Sequence, residues 1–350
     1  MTICKRCVMD TTDPNITFDE HGVCNHCKNV NPFEKLVKDI KSAGRGKRYD
    51  CLEGLSGGCD SSYLALLAWK HGLRVLTTQL DNGWGTPEAD HNVKVILDKT
   101  GWDFKRCIVS AKVFDDLHIA YLKASVVDIE VPSDHAIAAW NYSLAAKEEI
   151  HYIISGSNTA TEGIMPLAWG WNKGDLANIR DIHRRYGKMP LSTFPTMGPL
   201  KKSYYELVHH VRQVFPLNLV DYNREIAKEE LAREFGWKDY GLKHFESIIT
   251  RFYQGYILPK KFGIDKRKAH YSALICSGQM TREEALDLLS KPIDYPQLEE
   301  DKKIVFQRLG FSEEEFEAIM NLPIRSHKDF KSDEWIFSLI RRFRFVRKFL

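Results

Sequence analysis

The chain has 350 residues, of which 43% are hydrophobic and 28% are charged, and these proportions are typical of a soluble globular protein with one large domain or two. A formal net charge of +3 is too small to indicate nucleic-acid binding by itself. No apolar run reaches the ~18 residues needed to span a bilayer, and the first residues lack the apolar core of a signal peptide, so we expect a cytoplasmic location.

The amino-terminal segment carries two C-x-x-C pairs, Cys4 with Cys7 and Cys24 with Cys27, separated by sixteen residues. This spacing is typical of a tetrahedral zinc site, in which each pair supplies two thiolates and the intervening loop closes over the ion. A redox-active thiol pair is the alternative, but such pairs usually occur in a thioredoxin-like βαβ setting, which this segment lacks. We therefore expect a structural Zn²⁺ ion held by the four cysteines, with no open position for a substrate.

Alternating strand and helix patterns begin after a basic, glycine-containing linker at 42–48. Short apolar runs predict buried strands, and the segments between them have helical patterns bounded by proline and glycine signals. This alternation favours an α/β fold, a doubly wound parallel sheet with helices on both faces. Another helix is predicted before the linker, at 31–40. The predicted strands are 49–55, 74–80, 104–109 and 152–154, and the predicted helices between them are 63–69, 86–99, 113–124 and 134–150.

The segment from Leu55 to Ser62 reads L-S-G-G-C-D-S-S and connects the first predicted strand of the sheet to a predicted helix. Its paired glycines allow the backbone to bend and to approach a ligand closely, while free N–H groups and the helix dipole favour an anion. Ser56, Ser61 and Ser62 add hydroxyl donors, and Asp60 can hold Mg²⁺ against phosphates. The segment lacks both the lysine of a Walker loop and the three spaced glycines of a dinucleotide fingerprint, so it predicts a different kind of nucleotide site.

Two later segments carry further polar groups that such a site could use. The strand at 152–154 leads into S-G-S-N-T-A-T-E-G at 155–163, at the carboxyl end of a strand, where open α/β sheets bind ligands. Asp81 follows the strand at 74–80 and so lies at the same edge of the sheet. A contact with the nucleotide and a role that only shapes the Asp-Asn-Gly turn are equal alternatives for this residue. The segment at 198–207, G-P-L-K-K-S-Y-Y-E-L, begins with two lysines that could contact phosphate or simply be solvated.

The S-G-G-x-D-S signature resembles that of the PP-loop ATP pyrophosphatases, which include GMP synthetase, NAD synthetase, asparagine synthetase and tRNA-thiolating enzymes. The resemblance covers about positions 50–210 and implies an adenine nucleotide α-hydrolase-like fold. It also implies that ATP is cleaved between its α and β phosphates, so that an oxygen atom is activated as its adenylate. It implies catalytic roles for Ser56, Asp60 and Lys202, with Lys201 as the alternative lysine facing pyrophosphate. The implied ATP contacts are Ser56, Gly57, Gly58, Asp60, Ser61, Ser62, Asp81, Gly156 and Glu162, and the implied Mg²⁺ ligands are Asp60 and Glu162.

The carboxyl-terminal third is helical and charged, with capping boxes at Thr281 and Ser312, and its 238–268 stretch mixes cations, histidines and aromatic residues that could hold an anionic ligand. Together with the cysteine pairs and the glycine loop, the block from Tyr240 to Glu284 resembles the N-acetyl sugar amidotransferases of the WbpG and PseA type, over essentially the whole chain. This resemblance implies an ATP-dependent carbon–nitrogen ligase that converts the N-acetyl group of a nucleotide-activated sugar to an acetamidino group. The implied pathways are those of lipopolysaccharide O-antigen or of nonulosonates such as pseudaminic acid.

The source of ammonia has to lie outside the chain if this resemblance holds, because no glutaminase nucleophile is recognisable in the sequence. The expected partners are a separate HisH-like glutaminase and a HisF-like channel subunit. We accordingly divide the chain into a zinc-binding module at 1–45, a PP-loop ATP pyrophosphatase domain at 46–215 and a helical substrate- or partner-binding region at 216–350.

Two other functions stay open at this point. A tRNA-thiolating PP-loop enzyme is the first, although the cysteines outside the two pairs are scattered and form no further C-x-x-C motif. A zinc-stabilised scaffold that binds nucleotide without catalysis is the second, although the presence of Asp60 in an intact loop argues against it. We expect neither a membrane nor a nucleic acid as a partner.

Overall fold

The computed structural model describes residues 2–241 and 243–346, apart from the side chains of 28–30 and 343–346. The region we predicted at 216–350 therefore includes Leu242 and 347–350, which lie outside the described residues. Among the described residues, no helix combines the length and the apolarity needed to cross a membrane.

The strands of the protein are short and all pair in parallel. They are β1 (Cys51–Gly54), β2 (Val75–Asp81), β3 (Asp103–Ile108), β4 (Tyr152–Ile154) and β5 (Arg212–Val214). Within the described residues they form one five-stranded sheet of order β3-β2-β1-β4-β5. The predicted doubly wound parallel α/β fold is therefore confirmed, and β5 is a strand that the sequence patterns missed.

Helices connect the strands and make up the carboxyl-terminal third. They are α1 (Asn25–Val30), α2 (Pro32–Ala43), α3 (Cys59–Lys70), α4 (Pro87–Thr100), α5 (Ala111–Ala124), α6 (Val131–Lys147), α7 (Thr159–Glu162), α8 (Leu176–Tyr186), α9 (Pro199–Leu207), α10 (Arg224–Phe235), α11 (Ile248–Phe252), α12 (Arg267–Cys276), α13 (Arg282–Ser290), α14 (Leu298–Leu309), α15 (Glu313–Met320) and α16 (Glu334–Val346). A π-helix, Tyr253–Phe262, follows α11 directly. The predicted capping boxes are present at the start of α13 and of α15.

The ends of α4 show how local sequence fixes these elements. The side chain of Thr86 accepts a hydrogen bond from the N–H of Ala89 at 3.3 Å, and Pro87 occupies the first helical position, where it needs no N–H partner. Gly101 ends the helix with a φ of +66°, a left-handed conformation that favours glycine. The predicted helix at 86–99 is therefore correct to within a residue at each end.

The central strand β1 sets the position of the site. Its residues Cys51 and Leu52 are fully buried, as expected for a parallel strand whose two faces are both covered. The chain continues to β2 and β3 on one side of β1, whereas β4 and β5 lie on the other side. The strand order therefore reverses between β1 and β4, and the loops that follow these two strands meet at the carboxyl edge of the sheet. Open α/β sheets bind their ligands at such a point.

The buried cores cross the domain boundaries that we predicted. Phe33 and Ile40 of α2, which we placed in the amino-terminal module, pack in one cluster with Leu64 of α3 and Leu231 of α10. A second cluster joins residues of α5 and α8 to residues of α11, α14 and α15. The three predicted segments thus share hydrophobic cores, and where the chain divides into domains stays a prediction.

Candidate active site

The loop after β1, which we call the phosphate loop (residues 55–62), turns sharply and enters α3. Gly57 has a φ of +82°, and a Cβ at this position would overlap the carbonyl oxygen of Ala89 in α4, so only glycine fits here. The Gly58 N–H donates to Ser56 Oγ at 3.1 Å, and the Ser61 Oγ lies 3.1 Å from the same oxygen. These contacts hold the loop in a tight turn at the amino terminus of α3, where backbone N–H groups favour an anion.

The loop after β4, residues 155–163, lies directly against this turn. A Cβ on Gly156 would be 2.8 Å from the carbonyl carbon of Asp60 and 2.8 Å from the Ser61 nitrogen, so the glycine allows the two loops to touch. Asn158 caps the short helix α7 by accepting a hydrogen bond from the Thr161 N–H at 2.9 Å. The cap fixes the orientation of α7, whose last residue is Glu162. Gly156, for which the resemblance implied contact with nucleotide, thus also serves to pack one loop on the other.

Lys243 from the carboxyl-terminal third joins the two loops electrostatically. Its Nζ lies 2.5 Å from Asp60 Oδ2 and 3.0 Å from Glu162 Oε1, and it donates a hydrogen bond to Thr161 Oγ1 at 2.6 Å. The Lys243 side chain is only 9% exposed. Burial alone would lower the pKa of Lys243, but the nearby charges of Asp60 and Glu162 raise it above its ordinary value, so the lysine is charged.

Two tyrosines complete the surroundings of the phosphate loop. The Tyr222 hydroxyl donates a hydrogen bond to Asp60 Oδ1, and burial raises the pKa of this phenol, so it stays protonated. The Cys59 N–H, at the first position of α3, donates to the Tyr240 hydroxyl at 3.0 Å. Asp60 therefore accepts from a tyrosine on one oxygen and from a lysine on the other.

The segment that carries Lys243 also brings His244 and Glu246 to the site. His244 has a φ of +65°, a left-handed conformation that is uncommon for a residue with a side chain, and its Nε2 lies 3.5 Å from Glu162 Oε1. Burial raises the pKa of Glu246 to about 7. A Cβ on Gly58 would be 3.1 Å from Glu246 Oε1, so this carboxyl group lies directly over the phosphate loop.

These elements line a cavity of about 180 Å³ that opens to solvent at the carboxyl edge of the sheet, which we call the phosphate-loop cavity. Of the residues predicted to bind ATP or Mg²⁺, Ser56, Gly58, Asp60, Ser61, Gly156 and Glu162 line it. The carboxyl-terminal third supplies Tyr240, Lys243, His244 and Glu246 to its walls.

The remaining predicted residues do not line this cavity. Gly57 is used for the turn, and Ser62 is fully buried behind it. Asp81 accepts a hydrogen bond from the Gly83 N–H at 3.1 Å and lies 3.4 Å from Arg106, so it helps to shape the turn. A contact between Asp81 and ATP stays a prediction.

Lys202 of α9, for which the resemblance implied a catalytic role, does not line the phosphate-loop cavity. Its Nζ lies 5.5 Å from the centre of the Tyr142 ring and 4.0 Å from Glu206. Its catalytic role stays a prediction. The neighbouring Lys201 lines a different cavity. The lysine that the structure brings to Asp60 is Lys243. The sequence signal for it was the mixture of cations, histidines and aromatic residues at 238–268, which indicated an anionic ligand without identifying one residue.

The four amino-terminal cysteines converge as predicted. Their sulfur atoms all lie within 4.8 Å of one another, with Cys4 and Cys27 3.9 Å apart and Cys7 and Cys24 3.6 Å apart. A tetrahedral site with Zn–S bonds of ~2.3 Å requires sulfur atoms about 3.8 Å apart, so the cluster fits Zn²⁺.

The surroundings of Cys4 favour a metal ligand, whereas the side chain of Cys7 and burial raise the pKa of Cys27 to about 12. Burial opposes ionisation of Cys4, but N–H groups of Cys24, Arg6 and Cys7 hold its pKa at about 6. Its sulfur accepts hydrogen bonds from the N–H of Arg6 at 3.3 Å and of Cys24 at 3.2 Å. Donation to sulfur stabilises the thiolate, which is the form that binds a metal. The Cys4, Cys7, Cys24 and Cys27 cluster can therefore hold a metal ion.

Asp60 and Glu162 form the second group that fits a metal ion. Both carboxylates approach the same point closely enough to share the Lys243 ammonium. Carboxylate oxygens are the ligands that Mg²⁺ prefers, and Mg²⁺ in nucleotide sites is usually held by one or two carboxylates together with phosphate oxygens. This donor set is therefore suitable for Mg²⁺ bound with a nucleotide.

Comparisons with known proteins give one family match, to part of the chain. Residues 246–344 match the family model described as LPS biosynthesis protein WbpG-like, C-terminal domain. No curated protein sequence matches the chain.

Solved structures with similar folds are distant in sequence. One is NMN synthetase from Francisella tularensis, at 13% identity over 84% of this chain and 96% of that chain, with a TM-score of 0.38. The NH3-dependent NAD synthetase from Campylobacter jejuni has 14% identity over 73% and 93%, with a TM-score of 0.36. The U34-tRNA thiolase NcsA from Methanococcus maripaludis has 16% identity over 80% and 88%, with a TM-score of 0.31. Because these scores are low, the fold described above rests on the strand order of the chain itself.

Proposed function

We propose that this chain, whose residues 246–344 match the WbpG-like C-terminal domain, is an ATP-dependent amidotransferase. It converts the N-acetyl group of a nucleotide-activated sugar to an acetamidino group and releases AMP and pyrophosphate. The observation that carries the proposal is the convergence of the phosphate loop, the loop after β4 and Lys243 on one cavity at the point where the strand order reverses. The description of the matching domain supports a place in lipopolysaccharide biosynthesis.

The proposed reaction has two steps. The carbonyl carbon of an amide is a poor electrophile, so its oxygen first has to become a leaving group. That oxygen attacks the α phosphorus of ATP, the bond from this phosphorus to the bridging oxygen breaks, and pyrophosphate leaves. Ammonia then attacks the carbon, loses a proton, and the carbon–oxygen bond to AMP breaks to leave the amidine. Positioning and charge stabilisation supply most of the acceleration in such a reaction, without a covalent enzyme intermediate.

The residues of the cavity have separate roles in this scheme. The hydroxyl groups of Ser56 and Ser61 and the N–H groups at the start of α3 bind the β and γ phosphates. Asp60 and Glu162 would hold Mg²⁺, which supplies positive charge for the developing pyrophosphate. Lys243 neutralises further negative charge on the phosphates, the role that we first expected of Lys202.

The cysteines outside the cluster disfavour the thiolation alternative. Burial raises the pKa of Cys59 to about 12 and that of Cys107 to about 11, so neither thiol supplies the thiolate that sulfur transfer requires. Cys51 is fully buried in β1, whereas Cys276 is exposed on α12, and no second cysteine pair lies among the described residues outside the amino-terminal cluster. Outside the amino-terminal cluster, a tRNA-thiolating function would therefore have only Cys276 as an exposed thiol.

The ammonia donor remains part of the proposal. A HisH-like glutaminase with a HisF-like channel subunit would deliver ammonia to the cavity, and ammonium salts would replace the pair in vitro. If the chain alone uses glutamine as efficiently as ammonium, the proposed partners are wrong.

The proposed function is tested by measuring AMP and pyrophosphate with ATP, MgCl₂, ammonium and a panel of nucleotide-activated acetamido sugars. Asp60→Asn should abolish product formation, because it removes a carboxylate that lines the cavity. Asp287→Asn is the matched control, because Asp287 is an exposed aspartate on α13, and it should retain activity. If pyrophosphate forms equally with and without a sugar, or Asp60→Asn remains fully active, the proposal is refuted.

A further inference from the structure

A second cavity lies beside the phosphate-loop cavity, and Lys243 belongs to the walls of both. Its volume is about 70 Å³ and it opens to solvent, so a larger ligand bound here would extend beyond its walls. Its walls include Thr161, Arg224, Gln254, His270 and Tyr271.

One wall of the second cavity is formed by the π-helix that follows α11. Gln254 and Gly255 of this helix lie in the wall, and a Cβ on Gly255 would be 2.6 Å from Cδ1 of Tyr295, so the helix can approach Tyr295 only with glycine here. The π conformation is rare, and where it occurs it is frequently found at functional sites. The shape of this cavity thus depends on an unusual local structure.

Arg224 is a buried cation in this wall that has no carboxylate closer than 4.0 Å among its described contacts. Burial alone would lower its pKa, but nearby groups, among them Tyr240 and Asp60, raise it. Its side chain is 16% exposed, and the nearest carboxylate among its described contacts is that of Glu225, at 4.0 Å on a side chain that is 72% exposed. Its only described side-chain hydrogen bond is to the Gly241 carbonyl, at 3.4 Å. A buried charge is costly unless it is paired, so this guanidinium favours an anionic ligand.

The other cations of the second cavity are already paired. Arg267 donates to Asp265 at 2.8 and 3.0 Å, and Lys266 lies 2.8 Å from Glu130. The charge of Lys243 is shared by Asp60 and Glu162 in the neighbouring cavity. Arg224 is therefore the cation of this wall that is best able to bind an incoming anion.

His270 supplies a hydrogen-bond acceptor to the same cavity. Its Nδ1 lies 3.3 Å from the Thr161 carbonyl oxygen, which can only accept, so Nδ1 carries the proton. Burial lowers the pKa of His270 to about 4, so the ring is neutral and Nε2 is an acceptor. This Nε2 is buried and has no hydrogen-bond partner among the described residues. A ligand with an N–H or O–H group would satisfy it.

We propose that the second cavity binds the acceptor sugar, with Arg224 holding an anionic group of that sugar and His270 Nε2 accepting a hydrogen bond from its acetamido N–H. This inference rests on the proposed function. Thr161 connects the two cavities, because its carbonyl oxygen faces His270 and its hydroxyl oxygen accepts from Lys243. The acetamido group is thereby placed next to the phosphate-loop cavity, where its oxygen has to react. A hydrogen bond from the amide N–H also increases the negative charge on that oxygen, which makes it a better nucleophile.

Two chemical groups could supply the anion, namely the diphosphate of the nucleotide carrier and a carboxylate on the sugar ring. Calorimetric titration distinguishes them with UDP-N-acetylglucosamine, which has only the diphosphate, and N-acetylglucosaminuronic acid, which has only the carboxylate. Neutral N-acetylglucosamine provides the baseline. The anionic probe that binds more weakly when Arg224 is replaced identifies which group, diphosphate or carboxylate, supplies the anion.

The variants are Arg224→Gln, Arg224→Lys and His270→Asn, with Arg233→Gln as the matched control, because Arg233 is an exposed arginine on the same helix. Arg224→Gln should weaken binding of at least one anionic probe by about 10- to 100-fold, since a charge-assisted hydrogen bond is lost. Arg224→Lys should recover part of this loss, because it restores the charge. His270→Asn keeps a donor toward Thr161 and removes Nε2, so it should weaken all three probes.

The outcomes separate this inference from the proposed function. If the wild type binds no probe, or Arg224→Gln and His270→Asn both bind every probe as tightly as the wild type, the inference is overturned even when ATP is cleaved normally. If binding depends on Arg224 but no acetamido sugar stimulates pyrophosphate release, the sugar site stands and the proposed reaction fails. The ATP affinity of each variant serves as the folding control, and it should stay within twofold of the wild-type affinity.

Discussion

The substitution Lys243→Met tests the electrostatic link between the two loops. Methionine approximates the length of the lysine side chain but removes its charge, so Asp60 and Glu162 would face each other without the ammonium that now lies 2.5 Å and 3.0 Å from them. We expect a protein that is less stable without ligands and that responds more strongly to Mg²⁺.

The size of the effect follows from the burial of the pair. Removing one partner of a buried ion pair destabilises a protein by about 3–5 kcal/mol, because the remaining charge stays buried without compensation. An unfolding entropy of about 2.1 cal/mol/K per residue implies that each kcal/mol shifts the melting temperature of a 350-residue chain by roughly 1.4 °C. The melting temperature of Lys243→Met should therefore fall by about 4–7 °C.

Differential scanning calorimetry with and without MgCl₂ measures both effects. Lys268→Met is the control, because Lys268 is exposed and its loss should change stability by less than about 0.5 kcal/mol. Mg²⁺ should raise the melting temperature of Lys243→Met more than that of the wild type, since the two carboxylates then lack a competing ammonium. A Lys243→Met protein that melts with the wild type, or that responds to Mg²⁺ no more than the wild type does, would refute this reasoning.

Other regions of the chain give further predictions. Purified protein should contain about one Zn²⁺ per chain by elemental analysis, and Cys24→Ser should lose the metal and melt at a lower temperature; a metal-free wild type of equal stability would contradict the zinc assignment. Gly57→Ala should weaken ATP binding and stability by more than Gly101→Ala, because both glycines have positive φ but only Gly57 would also place a Cβ against a carbonyl oxygen. Equal losses in denaturant titration would show that the close approach to Ala89 does not matter. Burial lowers the pKa of His118 to about 4, so below pH ~6.5 the unfolded state binds more protons than the folded state. As the pH is lowered from 6.5 to 4, the free energy of unfolding should therefore fall by up to about 1.4 kcal/mol per pH unit. His118→Phe should reduce this slope in urea titrations, and an unchanged slope would count against the burial argument.

The sequence predicted those features that depend on neighbouring residues. The strand, the glycine turn and the start of α3 follow one another within a dozen positions, so the phosphate loop was recognisable from local pattern alone. The two cysteine pairs were equally clear, because zinc ligands come in short, regular spacings. Capping boxes at Thr281 and Ser312 were confirmed for the same reason, since a cap needs only four consecutive residues.

Features that depend on the path of the chain were not predictable. The strand β5 has only three residues and no apolar run, and it forms because β4 offers an edge to pair with. Lys243 is 183 residues from Asp60, and nothing in the sequence distinguishes it from Lys202 as the partner of that carboxylate. Its segment follows a turn at Gly241 and adopts a left-handed conformation at His244, and neither could be derived from spacing.

The most direct test of the account is the mass of the sugar product. The chain would be incubated with ATP, MgCl₂, ammonium and nucleotide-activated acetamido sugars, and the products analysed by mass spectrometry together with AMP and pyrophosphate. We predict a sugar product one mass unit lighter than the acceptor, because NH replaces oxygen, formed in equal amount to AMP. Formation of ADP and phosphate, or AMP release that leaves every sugar unchanged in the presence of ammonium, would contradict the account.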